Sequence, residues 1–376
     1  MKKSFFINYV CEVNYPNTSA YGIHVLKMCD ALASKKYKIN LIVPSLNVNT
    51  KTLSKNFKLK NKVIFFSIFN KPITFNFITR ILFVIKVLKN KKINNYDNLF
   101  FISRSPLFGI ISSLFNQRVI LELHHELSSI TKFLYYFLKN MGLLNNLNYI
   151  FIHKNLIKIF NPPKSSWLCL DDAVDVNDFK LKKITKKINK TCIYIGSFHK
   201  GKGLKLIFEI AKKLKNINFH LYGDKTFLSQ SSQPKNIKIF NHVSYKEIPK
   251  ILSKYEIALM PYGNWVSGRL KNINLIKSMS PLKMFDYLAS SNIIIASNLP
   301  VYKHILKNNF NSILIDNSKV NLWIKWIDQI FNSKKKYNYI KKNAFMTANK
   351  YTWIKRSKKI IKFANKKFKL NYPIKS

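Results

Sequence analysis

The sequence predicts an α/β protein made of two doubly wound, Rossmann-like domains that face a cleft. Its 376 residues are more than one ordinary hydrophobic core accommodates, and 47% of them are hydrophobic, which is ample for two packed cores. In both halves, short apolar segments alternate with helical patterns, which is typical of parallel sheets covered by helices. We therefore expect one domain at residues 1–180 and a second at 190–350, with a ligand site in the cleft.

The first half begins with a strand, SFFINYV, a polar loop, a helical pattern at 23–33 and a second strand, INLIVP. Strands joined through a helix are parallel, so the loop lies at the carboxyl edge of the sheet. Gly22, directly before the helix, could let a ligand approach the backbone closely, or could be an ordinary loop glycine. Further buried strands are expected at 62–69, 98–103 and 118–129.

Two basic segments of the first half carry large apolar surfaces. The helical pattern at 76–90 has a stripe formed by Ile78, Ile81, Leu82, Ile85 and Leu88. Core packing and a membrane surface both explain this stripe, and core packing is the simpler explanation. The segment ITKFLYYFLKNMGLL, from Ile130, is the better candidate for lying on a bilayer, because it holds more aromatic surface than one core face needs. Its aromatic residues are Phe133, Tyr135, Tyr136 and Phe137.

The chain has 65 lysines and arginines against 16 acidic residues, a net charge of +49. Three explanations are open: compositional drift along the whole chain, attraction to anionic lipid at about 1 kcal/mol per basic residue, and nucleic acid. The lysines are spread rather than clustered, and no zinc-finger, helix-turn-helix or RNA-binding pattern occurs. Nucleic acid is therefore an unlikely partner, and an anionic membrane surface is the favoured one.

Cysteine usage and the N-terminus indicate a reducing, cytoplasmic compartment. The four cysteines are far apart and mostly in apolar surroundings, which predicts buried thiols; they are Cys11, Cys29, Cys169 and Cys192. The first apolar run is short, broken by Asn8 and ended by Glu12, so we interpret it as a strand rather than a signal peptide. A membrane-spanning helix is not expected, because no apolar run of 18 residues occurs.

Two polar clusters end strands of the first half. If the strand RVILELHH continued, Glu122, His124 and Glu126 would share one face. One histidine is a candidate for catalysis or substrate binding, with a structural histidine as the alternative, and metal binding is disfavoured because adjacent histidines point to opposite faces. The second cluster favours turn and capping roles over a metal site; it consists of Asp171, Asp172, Asp175 and Asp178.

In the second half, the first turn GSFHKGKGLK places lysines and glycines at a helix N-terminus. The glycines are Gly196, Gly201 and Gly203, and Lys200 and Lys202 lie among them. Glycines allow close approach of a ligand and lysines neutralise phosphate charge. The spacing matches neither the P-loop nor the dinucleotide fingerprint.

The most specific site prediction comes from the stretch between the buried strands EIALMPY and NIIIAS. A helix opened by Ser280 and Pro281 lies between them, at the edge where open α/β sheets bind ligands. Ser280 could cap this helix, and the amides of Ser280, Leu282 and Lys283 would form an anion site to which Lys283 adds a charge. Asp286, one turn deeper, could accept hydrogen bonds from sugar hydroxyls. The stretch therefore predicts a phosphorylated, hydroxylated ligand such as a nucleotide sugar.

Three strings resemble the C-terminal half of the group 1 glycosyltransferases, glycosyltransferase family 4, of GT-B fold. They are YIGSFHKGKGLKLIFEIAKKL, EIALMPY and SPLKMFDYLASSNIIIASNLP. Weaker likeness in the first half comes from GIHVLKMCDALASKKYKINLIVP, ILELHHE and DDAVDVNDF. The resemblance implies a nucleotide-sugar donor in the second domain, an acceptor in the first, transfer with retention of configuration, and a C-terminal helix at 351–376 that returns to the first domain.

The resemblance also implies residue roles. Lys202 would contact the donor diphosphate, Asp286 would hold the ribose hydroxyls and His124 would lie near the transferred sugar, so these three are the catalytic candidates. The donor-binding candidates are Gly22, Gly196, Ser197, Lys202, Gly223, Val243, Ser278, Ser280, Pro281, Leu282, Lys283 and Asp286. No metal or other cofactor is expected, because lysines and a helix N-terminus can stabilise a departing diphosphate.

The sequence departs from the family pattern at two donor-site positions. Ser197 stands where the family commonly has an arginine, and Ser278 stands where many members have the first of two glutamates. Lys200, Arg269 or Lys277 could supply a compensating contact. These departures leave room for a different donor or for weak activity.

We therefore expect a cytoplasmic, retaining glycosyltransferase. It could also bind peripherally to the inner face of the membrane. Its acceptor would be lipid-linked or a polysaccharide, in polysaccharide or lipopolysaccharide synthesis for the cell envelope. Two alternatives stay open. One is a GT-B-fold protein with another activity, such as a nucleotide-sugar epimerase or a phosphorylase. The other is a non-catalytic sugar- or nucleic-acid-binding protein.

Overall fold

A computed structural model describes residues 5–33, 37–180, 187–224, 233–267 and 274–373. The chain divides into two compact units. Unit 1 comprises residues 1–171 together with 353–376, and unit 2 comprises residues 172–352.

Unit 1 is built on a seven-stranded sheet whose paired strands all run parallel. Its strands are β1 (Phe5–Val10), β2 (Tyr37–Val43), β3 (Val63–Ser67), β4 (Leu99–Ser103), β5 (Val119–Leu123), β6 (Asn148–Phe151) and β7 (Trp167–Cys169), in the spatial order β3-β2-β1-β4-β5-β6-β7. Its helices include α1 (Ala20–Leu32), α2 (Thr50–Phe57), α3 (Phe77–Lys89), α4 (Lys91–Asn94), α5 (Pro106–Leu114), α6 (Ser129–Asn140) and α7 (Lys154–Phe160). Most of these strands are continuous apolar runs because helices cover both faces of the sheet.

Unit 2 is built on a six-stranded parallel sheet in the order β10-β9-β8-β11-β12-β13. Its strands are β8 (Thr191–Ile195), β9 (Asn218–Tyr222), β10 (Ile237–Phe240), β11 (Ile257–Met260), β12 (Ile293–Ser297) and β13 (Ile313–Ile315). Its helices are α8 (Leu204–Lys213), α9 (Ile248–Leu252), α10 (Leu282–Ala289), α11 (Val320–Asn332) and α12 (Asn338–Ala348). Alternate residues of β8 join two different hydrophobic clusters, as expected for a sheet that is buried on both faces.

The last helix, α13 (Trp353–Phe368), belongs to unit 1. Its apolar face is buried, and α1 is the neighbour against which it packs. Each unit thus has the doubly wound α/β architecture expected from the alternation of strands and helices, and this fold class is confirmed. Within the ranges that the structure describes, no helix combines the length and apolarity that crossing a membrane requires.

Three details differ from the sequence-based expectations. On α3 the core face consists of Phe83, Val84 and Val87, so the simpler explanation of the apolar stripe as core packing is wrong for the exposed members of that stripe. These members are Ile78, Leu82 and Ile85. Cys169 is exposed, whereas the other three thiols are buried. Strand β5 ends at Leu123, so the alternation Glu122, His124, Glu126 is not continued, and Glu126 is exposed.

Candidate functional site

The turn after β8 is pressed against the loop after β11. Gly201 and Gly203 have φ angles of +84° and +88°, which side chains rarely adopt. A Cβ atom at Gly201 would lie 1.7 Å from the carbonyl oxygen of Trp265, and one at Gly203 would lie 1.8 Å from that of Pro261. Gly263 N donates to Gly201 O at 2.9 Å. Glycine is therefore required here by backbone contact between the two loops, which fixes the neighbouring Lys202.

Lys283 is the least solvated cation of this edge. Its Nζ atom is shielded from solvent and has no hydrogen-bond partner in the described part of the chain. It lies 3.8 Å from the centroid of the Tyr194 ring, and a Cβ atom at Gly196 would be only 2.5 Å from it. Burial, and secondarily the charge of Lys202, hold the pKa of Lys283 well below its ordinary value. The amine therefore lies where the described residues offer ring faces but no anion.

Lys202 is the second cation of the same cluster. Burial lowers the pKa of Lys202 to about 8. Its Nζ atom lies 5.0 Å from the centroid of the Tyr262 ring, and Lys283 Nζ lies 5.4 Å from the same centroid. In the ranges covered by the structure, neither ammonium group forms an ion pair with a carboxylate. Two desolvated cations around one ring are suited to a dianionic group such as a diphosphate.

The helix expected at Ser280 begins two residues later. Pro281 is the N-cap of α10, with no side-chain cap, and the first helical residue is Leu282. The prediction that Ser280 caps this helix is wrong, because its Oγ atom instead accepts a hydrogen bond from Asp172 N at 3.0 Å. The amides of Leu282 and Lys283 are in the first turn of α10, where backbone N–H groups lack partners within the helix. These two amides could therefore donate hydrogen bonds to an anion.

Asp286 lies one turn further along α10 and is buried. The pKa of Tyr245 is raised chiefly by burial and then by the charge of Asp286 and those of the acidic segment 172–178. Asp175 in that segment accepts a hydrogen bond from Asn177 N at 3.2 Å, which confirms a capping role for this residue. Asp286 thus interacts electrostatically with Tyr245, which the sequence-based prediction did not name.

The other donor-site candidates of unit 2 are spread along the same edge. Gly223 follows β9, and a Cβ atom there would lie 2.3 Å from Gly196 O, so these two glycines are in backbone contact. Ser197 accepts a hydrogen bond from Tyr194 Oη through its carbonyl at 2.8 Å. Ser278 is buried, and Val243 is half-buried in the loop after β10. Arg269, one of the expected compensating cations, lies outside the described residues.

In unit 1, a buried carboxylate joins the ends of several elements. Glu122 Oε1 lies 2.8 Å from His24 Nε2, 2.9 Å from His124 Nε2 and 2.8 Å from Arg356 Nη2. Glu122 Oε2 accepts a hydrogen bond from Tyr9 Oη at 2.7 Å. Burial alone would raise the pKa of Glu122, but Arg356 and the two histidines outweigh it and hold this pKa well below its ordinary value. The carboxylate is therefore charged, and it orients His124.

His124 directly follows β5. Burial, and then the charge of Arg104, lower the pKa of His124 to about 3, so the ring is neutral at physiological pH. Gly22 does not precede α1 but lies in its first turn, and a Cβ atom there would be 2.7 Å from Asn17 Oδ1. The chain therefore needs a glycine here for packing against Asn17, which is a sufficient reason without a ligand.

Comparison with known proteins finds a family match in the second half of the chain and similar structures over nearly all of it. Residues 176–346 match the family model of the glycosyl transferases group 1. A glycosyltransferase from Rickettsia africae has a similar structure, with a TM-score of 0.73 at 13% identity, over 98% of this chain and 100% of that chain. Sucrose-phosphate synthase from Thermosynechococcus elongatus gives 0.72 at 11% identity, over 97% and 99% of the two chains. HepE from Anabaena, in complex with UDP and glucose, gives 0.69 at 12% identity, over 94% and 98%.

No curated protein matched the chain at the level of sequence. The structural neighbours are glycosyltransferases of GT-B fold, and at such low identity their likeness establishes the fold. The resemblance predicted from the sequence is confirmed by the family match. Residues 176–346 thus match the group 1 glycosyl transferases, and the fold of the chain is GT-B.

Proposed function

We propose that the protein transfers a sugar, with retention of configuration, from a nucleotide-sugar donor to a lipid-linked or polysaccharide acceptor in cell-envelope glycan synthesis. The observation that carries the donor half of this proposal is the pair Lys202 and Lys283. Both ammonium groups are desolvated, they share the ring of Tyr262 and neither has a carboxylate among the described residues. A diphosphate supplies the missing negative charge, and its departure is what such a transfer must stabilise.

The surroundings of the two lysines support the same donor. Gly196 and Gly223 are in backbone contact at the strand ends, and Leu282 and Lys283 offer first-turn amides. Asp286, buried one turn deeper, would accept hydrogen bonds from ribose hydroxyls. HepE, one of the similar structures, was crystallised with UDP and glucose. The uncharged Ser197 leaves Lys283 as the cation nearest to Gly196, so we propose that Lys283 takes over the contact that an arginine at 197 would make.

In unit 1 we propose that His124 contacts the transferred sugar. A neutral imidazole, held by Glu122, can exchange a hydrogen bond with a sugar hydroxyl without adding a charge that would oppose positive charge developing at the sugar. Arg356 and Tyr9 complete the partners of Glu122 and keep it ionised. In this proposal Glu122 acts only through His124 and is a positioning residue.

Turnover of candidate nucleotide sugars in the donor-site variants tests the proposal. A thermal-stabilisation screen first identifies the donor, since a ligand that binds only the folded chain raises the melting temperature. Lys202→Ala and Asp286→Ala should each lower donor turnover by about 100-fold or more while the melting temperature of the free protein stays near that of the wild type. Lys205→Ala, an exposed lysine of α8, is the matched control. Unchanged turnover in both site variants would make the site assignment wrong.

The acceptor requirement separates the alternatives. A transferase consumes its donor much faster when an acceptor is present, whereas a nucleotide-sugar epimerase turns over its donor without one. A phosphorylase would need inorganic phosphate. Donor binding without any turnover, across a panel of acceptors, would favour a non-catalytic sugar-binding protein.

We also propose that α3 and α6 of unit 1 rest on an anionic bilayer, where a lipid-linked acceptor would be found. Arg80 Nη1 on α3 donates to Thr131 Oγ1 on α6 at 3.1 Å, so the helices are neighbours. Phe133 is 72% exposed and Phe137 52% exposed, with their rings stacked at 6.1 Å. Of the four aromatic residues of this segment, Tyr135 is fully buried and belongs to the core.

Exposed lysines flank these apolar side chains, which is the combination that favours an interface rich in anionic lipid. They are Lys86, Lys89 and Lys132. A Phe133→Ser/Phe137→Ser double variant should lose most of its binding to vesicles that contain phosphatidylglycerol. Leu322→Ser, which removes an exposed apolar side chain from unit 2, should bind like the wild type. Equal binding by both variants, in a flotation assay, would exclude α6 as the contact surface.

A further inference from the structure

Arginine is scarce in this chain and is used selectively. Only five of the 65 basic residues are arginines. Two of them in unit 1 are paired with carboxylates. Arg80 Nε donates to Glu12 Oε1 at 2.9 Å, and Arg356 Nη2 donates to Glu122 Oε1 at 2.8 Å. Both of these partly or fully buried arginines therefore bind a carboxylate, whose planar pair of oxygens matches the guanidinium donors.

Arg104 has the same kind of position without the oxyanion. It directly follows β4, and its backbone N donates to Val10 O at 2.9 Å. The Cζ atom of its guanidinium lies 3.9 Å from the centroid of the Tyr21 ring, and Tyr21 Oη donates to the carbonyl of Arg104 at 3.0 Å. The Nη1 atom is shielded from solvent, yet no described residue accepts a hydrogen bond from it. A buried guanidinium N–H group without a hydrogen-bond acceptor indicates a place where an acceptor can bind.

Glu12, whose backbone N donates to Tyr21 Oη at 3.2 Å, has a carboxylate that is already engaged. Glu12 Oε1 accepts hydrogen bonds from Arg80 and, at 2.6 Å, from Ser105 Oγ. The charge of Arg104 is therefore not neutralised locally. After burial, the charge of Arg104 is the main contributor to the lowered pKa of His124. Arg104 and His124 directly follow β4 and β5, which are neighbouring parallel strands, so both residues lie at the same edge of the sheet.

We propose that Arg104 is an oxyanion subsite of unit 1, which binds a phosphate or carboxylate group of the acceptor. Stacking on Tyr21 fixes the plane of the guanidinium, so that its N–H edge can engage two oxygens of one oxyanion. An ammonium group would not keep that geometry. The assignment to the acceptor rests on the proposed function, and it restricts the acceptor to phosphorylated or uronate-like molecules.

Side-chain NMR of the full chain with nitrogen-15-labelled arginine tests this subsite directly, because only five arginine Nε signals are expected. Arg104→Lys and Arg118→Lys assign two of the signals. Arg118 is exposed on the same unit and is the matched control. The probes are sn-glycerol 3-phosphate and glucuronate, each titrated at about 0.15 M salt to suppress non-specific attraction. UDP alone is the probe for donor binding.

The Arg104 signal should shift and saturate with at least one oxyanion, whereas the Arg118 signal should not. A response to the phosphate alone identifies a phosphorylated acceptor, and a response to glucuronate alone identifies a carboxylate. In Arg104→Lys the affinity, read from the ring signals of His124, should fall about 10- to 100-fold, the range for one charge-assisted contact.

Three results would overturn the proposal: no response of Arg104 to either oxyanion, an equal response of Arg118, or saturation of the Arg104 signal by UDP alone. The last result would assign the subsite to the donor. Binding of the probes needs no donor turnover, so an inactive but anion-binding chain would refute the proposed function and leave the subsite intact.

Discussion

Binding of the donor diphosphate should be coupled to proton uptake by the two lysines. In the free protein the pKa of Lys202 is lowered to about 8 and that of Lys283 is held well below its ordinary value, in both cases chiefly by burial. A bound diphosphate favours the charged ammonium forms and raises both pKa values. Because the ligand selects the protonated lysines, affinity must fall as pH rises through the pKa values of the free protein.

The size of the effect follows from the value for Lys202. A lysine with a pKa of about 8 is about 90% charged at pH 7 and about 10% charged at pH 9. If only the charged form binds, Lys202 alone lowers the affinity about tenfold between these pH values. Lys283, whose pKa is also held well below its ordinary value, adds to this decrease. The phosphates of a nucleoside diphosphate are fully ionised over most of this interval, so the decrease reports on the protein.

Isothermal titration calorimetry at pH 8, in two buffers of different ionisation enthalpy, measures the protons taken up with a nucleoside diphosphate selected by the stabilisation screen. Lys202 should account for about half a proton at that pH, and Lys283 should increase the total. Lys202→Arg keeps a charge throughout the range and should remove the contribution of Lys202, whereas Lys205→Arg should leave the uptake unchanged. Tight binding with no proton uptake, and with equal affinity at pH 7 and pH 9, would refute the reasoning.

Three other residues should respond in ways that separate structural from catalytic roles. Glu122→Ala should lower the free energy of unfolding by about 3 to 5 kcal/mol, because the buried Arg356 loses its carboxylate. Glu126→Gln, a change at an exposed glutamate, should alter this free energy by less than about 0.5 kcal/mol. Denaturant titration of both variants measures the difference. Since the pKa of Glu122 is lowered on folding, the stability that it contributes is present above its unfolded-state pKa and is lost as pH falls through its folded-state pKa. The His124 ring, with a pKa of about 3, should show no titration by NMR between pH 5 and 8, and an inflection there would contradict its assigned environment. Lys283→Met should abolish diphosphate binding but raise the stability of the ligand-free protein by about 1 kcal/mol, because it removes a buried polar amine without a hydrogen-bond partner. A destabilised variant that still binds would be the opposite result.

The sequence predicts the strands well and the side-chain networks poorly, for physical reasons. The strand runs FFINYV, LFFIS and NIIIAS are apolar because both faces of a parallel sheet are covered, and this is visible locally. Helix α3 shows the limit of such patterns. Nine of the 13 residues in FITRILFVIKVLK are apolar, so periodicity alone is compatible with two different buried faces. Only packing selects Phe83 and Val84 over Ile78 and Leu82.

The networks depend on contacts between distant parts of the chain. Arg356 and Glu122 are 234 residues apart, and no local pattern pairs them, although a glutamate inside the apolar strand VILEL indicates that some partner must exist. Lys283 was predicted as one charge of an anion site. Its position against Gly196 and Tyr194 could not be predicted, because it depends on how β8 and α10 are arranged in space. Arg104 carried no motif, and its role became arguable only when its Nη1 atom proved to lack an acceptor.

The difference between what the composition shows and what folding creates also matters for interpreting the net positive charge. A net charge of +49 invites an explanation through polyanionic partners, yet most lysines are spread over the sequence and would attract any anion weakly and equally. The informative cations are those for which folding has removed water without supplying a counter-charge: Lys202, Lys283 and Arg104. A charge in that state destabilises the free protein and is compensated when an anion binds. The composition of the surface could therefore change with little effect on donor and acceptor recognition, whereas removal of any one of these three desolvated charges should impair the binding of one specific anion.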